Sequence, residues 1–253
     1  MTKETWEKFK ELREQFRKTV EELISSLPKL KSIQQRLIDN RNDTLLTNPG
    51  KNHYKVESSV VYNTALDDLT INDEIKLILV ADNPGRREQA LGRYLVGPSG
   101  KIANKFFQNN PALKIDFYKN VIILNKTPIH SPRTIELRQL CQMETKEKTI
   151  TTALEESQKK MAALLAGFHE VLNCPVWITG YSEMRKNGLF ESYTESLKML
   201  YANKSEMYKK LYIFRHFSMN QFTIDLKQQS LPGETVAKSL SRIGTVYKQR
   251  ILE

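Results

Sequence analysis

Ile75-Lys76-Leu77-Ile78-Leu79-Val80-Ala81-Asp82-Asn83-Pro84-Gly85 decides the fold: a nearly continuous apolar run of strand length stops at a turn-forming Asp-Asn-Pro-Gly. A strand without polar alternation is covered on both faces, the situation inside a parallel sheet. Three further runs repeat the pattern: Val121-Ile122-Ile123-Leu124 before Asn125, Val176-Trp177-Ile178-Thr179 before Gly180, and Leu211-Tyr212-Ile213-Phe214 ahead of His216. Helical spacings separate them, from about Ser99 to Phe107, then through Leu154, Met161, Leu164, Leu165, Phe168 and Leu172, then through Phe190, Leu197 and Leu200. A last helix, entered at Pro232, carries Val236, Leu240, Ile243 and Tyr247. Alternating strands and helices predict a three-layer α/β/α sandwich around a central, mainly parallel four-stranded sheet.

Ahead of the first strand, Trp6, Phe9, Leu12, Phe16, Val20, Leu23, Ile24 and Leu27 recur at three- and four-residue steps, an amphipathic helix ending near Pro28. The stretch from Asn40 to Lys55, with Asn-Pro-Gly at 48 to 50, has turn residues and little periodicity and reads as a loop. The chain is therefore expected to form one α/β domain over 1–253, with 1–50 a helical extension packed on or beside it.

The 253 residues are 40% hydrophobic and 27% charged, which fits a globular domain and excludes a fibrous or disordered chain. No apolar run reaches bilayer length and the N-terminus lacks a secretory pattern, so a cytoplasmic location without a membrane partner is expected; separately, the chain is expected to be a monomer. Cys141 and Cys174 are too few for a disulfide framework or a metal cluster, and both read as free thiols; no metal and no cofactor are expected. The net charge of +10 favours a polyanionic partner, nucleic acid first, although excess lysine that simply solubilises the surface explains it equally well.

Ligands of open α/β sheets bind beyond the carboxyl ends of the strands. The residues there are Asp82-Asn83-Pro84-Gly85, Asn125, Gly180-Tyr181 and His216-Phe217-Ser218. The first group continues through Arg86-Arg87-Glu88 to Leu91-Gly92-Arg93-Tyr94-Leu95-Val96-Gly97-Pro98-Ser99-Gly100. This segment resembles the first motif of the uracil-DNA glycosylase superfamily, whose branches carry GQDPY, GINPG or GEAPG, the last followed by E-x-x-x-G-R-P-F-V-G-P-x-G. Val121 to Asn125 resembles the apolar strand ending in Asn that follows in that superfamily. Phe214-Arg215-His216-Phe217-Ser218-Met219 is a looser version of its His-Pro-Ser-Pro-like loop, with the prolines absent.

The resemblance implies a DNA-repair glycosylase that needs no metal. Asn83 falls where the superfamily positions the attacking water; since an amide cannot accept a proton as a carboxylate does, neighbouring Asp82 either supplies a base or holds the turn. Asn125 would read the base through its amide, or else bond nearby backbone. His216 would donate to the departing base as negative charge collects on it. Leu95 stands at the superfamily's stacking phenylalanine, with Tyr94 beside it as a possible replacement, and Gly85 stands where one branch uses Tyr to exclude the thymine methyl group. Arg86, Arg87, Arg93, Lys101, Lys126, Arg133 and Arg215 are expected to follow a phosphate backbone, with Ser218 on a phosphate and Met219 as the wedge that fills the vacated stack. His130, in Pro128-Ile129-His130-Ser131-Pro132, lies in the wrong place for the third motif and reads as a loop residue. The iron–sulfur branch needs four cysteine ligands, so no cluster is expected. Two alternatives remain: a member that binds nucleic acid without excising a base, and a hydrolase of free nucleosides or nucleotides.

Overall fold

The computed structural model describes residues 1–44, 54–143 and 149–253. Its centre is a sheet of four parallel strands, β1 (Leu77–Ala81), β2 (Val121–Asn125), β3 (Val176–Thr179) and β4 (Leu211–Phe214), in the order β2-β1-β3-β4. The sheet is wholly parallel, and helices flank it in a three-layer α/β/α sandwich. Every side chain of β1 is buried, as its unbroken apolar run requires. Register pairs Ala81 with Asn125, and Ile178 with both Val80 and Ile213.

Helix α1 (Lys3–Ser26) begins at Thr2, whose hydroxyl accepts the Thr5 amide, and it buries Phe9, Phe16, Val20 and Leu23. Phe9 meets Phe168 on the long helix α6 (Thr149–Leu172), with ring centroids 5.3 Å apart, and Phe16 meets Tyr62 at 5.1 Å. Both phenylalanines are fully buried, each worth about 1.5–3 kcal/mol of transfer free energy, so α1 belongs to the core. Helix α2 (Leu30–Thr44) follows. It overturns part of the expected loop: residues 40–44 are helical, because Leu30, Ile33 and Ile38 give this segment an apolar face of its own. The remainder of that loop, apart from residues 54 and 55, lies outside the described residues.

Between β1 and β2 come α3 (Arg86–Leu91) and α4 (Pro98–Asn109); α5 (Thr134–Met143) precedes α6. Helices α7 (Glu191–Tyr201) and α8 (Ser205–Lys209) link β3 to β4, and α9 (Gln221–Gln229) and α10 (Val236–Leu252) complete the chain. Helix α10 packs against β4 and starts later than expected. Its cap is Thr235, whose hydroxyl accepts the Lys238 amide, and Pro232 lies in the preceding turn.

Candidate functional site

From β1 the chain crosses to β2 on one side and then to β3 on the other, so β1 and β3 flank the point where strand order reverses. Crevices form at such a point. A cleft of about 720 Å³ opens here, lined by residues that follow β1, β3 and β4 and by the 131–134 loop. Its floor is tight. A Cβ on Gly180 would fall 2.3 Å from Asp82 Oδ1, and Gly180 has φ +83, so only glycine lets β3 end this close to the Asp82 carboxylate.

Asp82 is tied from below and from the side. Lys126, fully buried, donates to its Oδ1 at 2.5 Å and to the Thr179 carbonyl, with Nζ 4.9 Å from the Phe190 ring centroid. Burial pushes the Lys126 ammonium below its ordinary pKa, and the Asp82 carboxylate opposes that shift. Thr134, at the start of α5, has its hydroxyl 3.3 Å from Asp82 Oδ2 and 3.2 Å from Asn83 Oδ1, one proton for two acceptors. Asn83 donates through Nδ2 to the Ser131 carbonyl and hydroxyl, both at 3.0 Å, which fixes the amide's orientation.

The 128–133 loop clamps this floor. His130 is fully buried; Nδ1 donates to the Pro84 carbonyl at 2.8 Å, which leaves Nε2 to accept the Tyr54 hydroxyl at 2.9 Å. Burial drives its pKa down to about 4, so the ring is neutral at physiological pH and both nitrogens serve structure. Glu88, also buried, gathers backbone amides of Gly85, Leu95 and Gly97 onto one carboxylate. Its own pKa is raised by burial, with those amides opposing. The loop it organises takes Leu95 to φ +50, and Gly100 permits the approach, since a Cβ there would sit 1.4 Å from the Leu95 carbonyl oxygen.

His216, on the opposite wall, receives the Ser218 amide on Nδ1 at 3.0 Å. Nδ1 is therefore the unprotonated nitrogen, and the proton lies on Nε2. Burial lowers the His216 pKa; Asp82 pulls it back up and Lys126 reinforces the fall, so the imidazole is neutral near pH 7. Beyond it Met219 stands 80% exposed at φ +52, a rim side chain held out into solvent.

The structure brings together on this cleft Asp82, Asn83, Gly85, Arg86, Arg87, Leu95, Arg133, Arg215, His216, Ser218 and Met219. Others it places elsewhere. Tyr94 is in the core, donating its hydroxyl to the Val61 carbonyl at 2.5 Å with its ring near Phe16, so it presents no stacking surface. Lys126 is sealed beneath Asp82 and cannot meet a phosphate. Arg93 is spent on a surface ion pair with Asp68 and, like Lys101, does not line the cleft. Asn125 does not line it either; it is 2% exposed, and its Nδ2 is buried with no partner among the described residues, an orphan donor of the kind native proteins rarely keep.

Among the arginines, Arg215 approaches Asp225 at 3.2 Å, Arg133 pairs with Glu136 at 2.8 Å, and Arg86 lies 5.0 Å from the Tyr54 ring centroid. Sequence reasoning named Tyr181 only by its place after β3. Its ring stacks on Tyr247 at 4.6 Å with Arg185 4.9 Å away, an aromatic and basic edge to the cleft. Thr134 and Ser131 carried no sequence signal, because their partners lie about fifty residues away. No group of three or more His, Cys, Asp or Glu able to hold a metal occurs among the described residues, and none of their helices is long and apolar enough to cross a membrane. In comparisons with known proteins, no family model matches the chain and no curated protein matches it.

Proposed function

We propose that the chain is a monofunctional DNA glycosylase, a cytoplasmic monomer that hydrolyses the N-glycosidic bond of uracil or a related deaminated base in DNA. The observation that carries this reading is His216: a neutral imidazole whose Nδ1 already accepts the Ser218 amide, leaving Nε2–H as the donor on a cleft whose other wall is the fixed Asn83 amide. Such a donor, organised before the reaction, stabilises the anion that forms on a departing base. Asn83 orients water toward the sugar, Asp82 lies beside it as the carboxylate, and the positive charge that develops on the sugar resembles an oxocarbenium ion. Arg86, Arg87, Arg133 and Arg215 supply positive charge at the rim, where a phosphate backbone would run, and Met219 projects as a wedge.

Incubation with labelled oligonucleotides bearing uracil, hypoxanthine, xanthine or a G·T mismatch, followed by alkali, tests it. Strand scission at one lesion, lost in Asn83→Ala and His216→Ala, is expected; scission at the unaltered rate in both variants contradicts the residue roles.

A second reading is favoured by the placement of Tyr94 in the core and of Asn125 outside the cleft lining, which removes the expected stacking tyrosine and base reader from the pocket. It is a nucleic-acid-binding protein that no longer excises. Salt-sensitive binding to DNA with no base released would establish it.

A further inference from the structure

Resting on the glycosylase reading, we infer that Lys126 and Thr134 are positioning residues that make Asp82 the proton acceptor of the hydrolysis. Asn83 cannot take a proton near neutral pH, so the reaction needs a carboxylate close to the water that Asn83 orients. Asp82 is adjacent in sequence and lines the same cleft. Its two oxygens are differentiated by their partners: Oδ1 is held to the floor by the buried ammonium of Lys126 and hemmed in by Gly180, while Oδ2 lies on the Thr134 side. The Thr134 hydroxyl links Oδ2 to Asn83 Oδ1, setting the base and the water-orienting amide against one another.

In the step itself, the water oxygen bonds to the anomeric carbon as the bond from that carbon to the base nitrogen breaks. The bonding pair leaves with the base, which His216 steadies, and the water proton passes to the Asp82 carboxylate and thence to solvent or the released base. Lys126 touches no substrate in this scheme. A lysine buried beneath a carboxylate serves here to aim it, which separates Lys126 from the rim cations that would contact phosphate.

The test measures single-turnover excision and DNA affinity separately, in the full chain. Lys126→Met is expected to slow excision about 10²-fold, the lower end of what a positioned base contributes, with DNA affinity unchanged because the side chain is out of reach of DNA. Thr134→Val, at the half-exposed mouth of α5, is expected to slow it about tenfold, and Thr134→Ser to restore the rate. Where Lys126→Met does not fold, the Thr134 pair decides. Wild-type rates in folded Lys126→Met, or in Thr134→Val, overturn the assignment while leaving the glycosylase reading intact. A parallel fall in DNA affinity for Lys126→Met would also overturn it. If the wild-type protein releases no base from any lesion, the glycosylase reading itself falls and this assignment with it.

Discussion

His130 and His216 each sit in a loop that carries a serine close behind the histidine, Pro-Ile-His-Ser-Pro and Phe-Arg-His-Phe-Ser-Met, and the structure gives them opposite employment. His130 uses both ring nitrogens on the protein, one on the Pro84 carbonyl and one on the Tyr54 hydroxyl, and is fully buried. His216 uses one, on the Ser218 amide, and lines the cleft with the other available to a ligand. The two differ in the second nitrogen, spent on the protein in His130 and left over in His216 where the ring lines the cleft. The more motif-like His-Ser-Pro loop became the clamp, and the degenerate loop became the wall of the site.

The strongest way to break this contrast is to delete each ring. His216→Ala should reduce excision by about 10²–10³-fold, the measured scale for losing one donor at developing charge, with little change in urea midpoint. His130→Ala should do the reverse in stability, costing about 2–4 kcal/mol by urea denaturation, since it opens a cavity and removes the ring's two buried hydrogen bonds, to the Pro84 carbonyl and from the Tyr54 hydroxyl.

Acid sharpens the same comparison. His130 and His169 both have pKa values lowered to about 4, against an unfolded value near 6.5. Below about pH 6.5 the unfolded chain binds protons that the native chain refuses, so stability is full above that pH and falls as pH drops toward 4, by about 3 kcal/mol for each ring. Denaturation curves between pH 7 and 4 should show this slope, to which the lowered His216 also adds, and His130→Gln should remove about 3 kcal/mol of the loss; an unchanged slope would contradict the assignment of His130 as a buried neutral ring. The smallest effect concerns the rim. Met219→Ala should slow excision a few-fold on duplex DNA and leave single-stranded substrate unaffected, because a wedge matters only where a stack must be filled.

The four strands, their parallel arrangement and the loops beyond their ends were legible because each is a local pattern: an apolar run, then polar turn residues. Loop order alone brought Asp82, Asn83, His216 and Met219 to one cleft. What was not legible is pairing across distance. Lys126 read as a phosphate contact because nothing near it in sequence reveals the carboxylate 44 residues earlier that draws it inside. Tyr94 read as a stacking ring because the Val61 carbonyl that accepts its hydroxyl lies 33 residues away. Arg93 likewise answers to Asp68, and α2 escaped notice altogether because its polar composition masked the short apolar face of Leu30, Ile33 and Ile38.

The most direct test of the central claim mixes wild-type protein and the His216→Ala variant with duplex DNA bearing one uracil and measures free base released. The account predicts uracil in solution, an abasic site in an otherwise intact strand, and release at least about 10²-fold slower in the variant. DNA recovered with every base in place, although bound in a salt-sensitive complex, would contradict it and leave a cleft built for recognition.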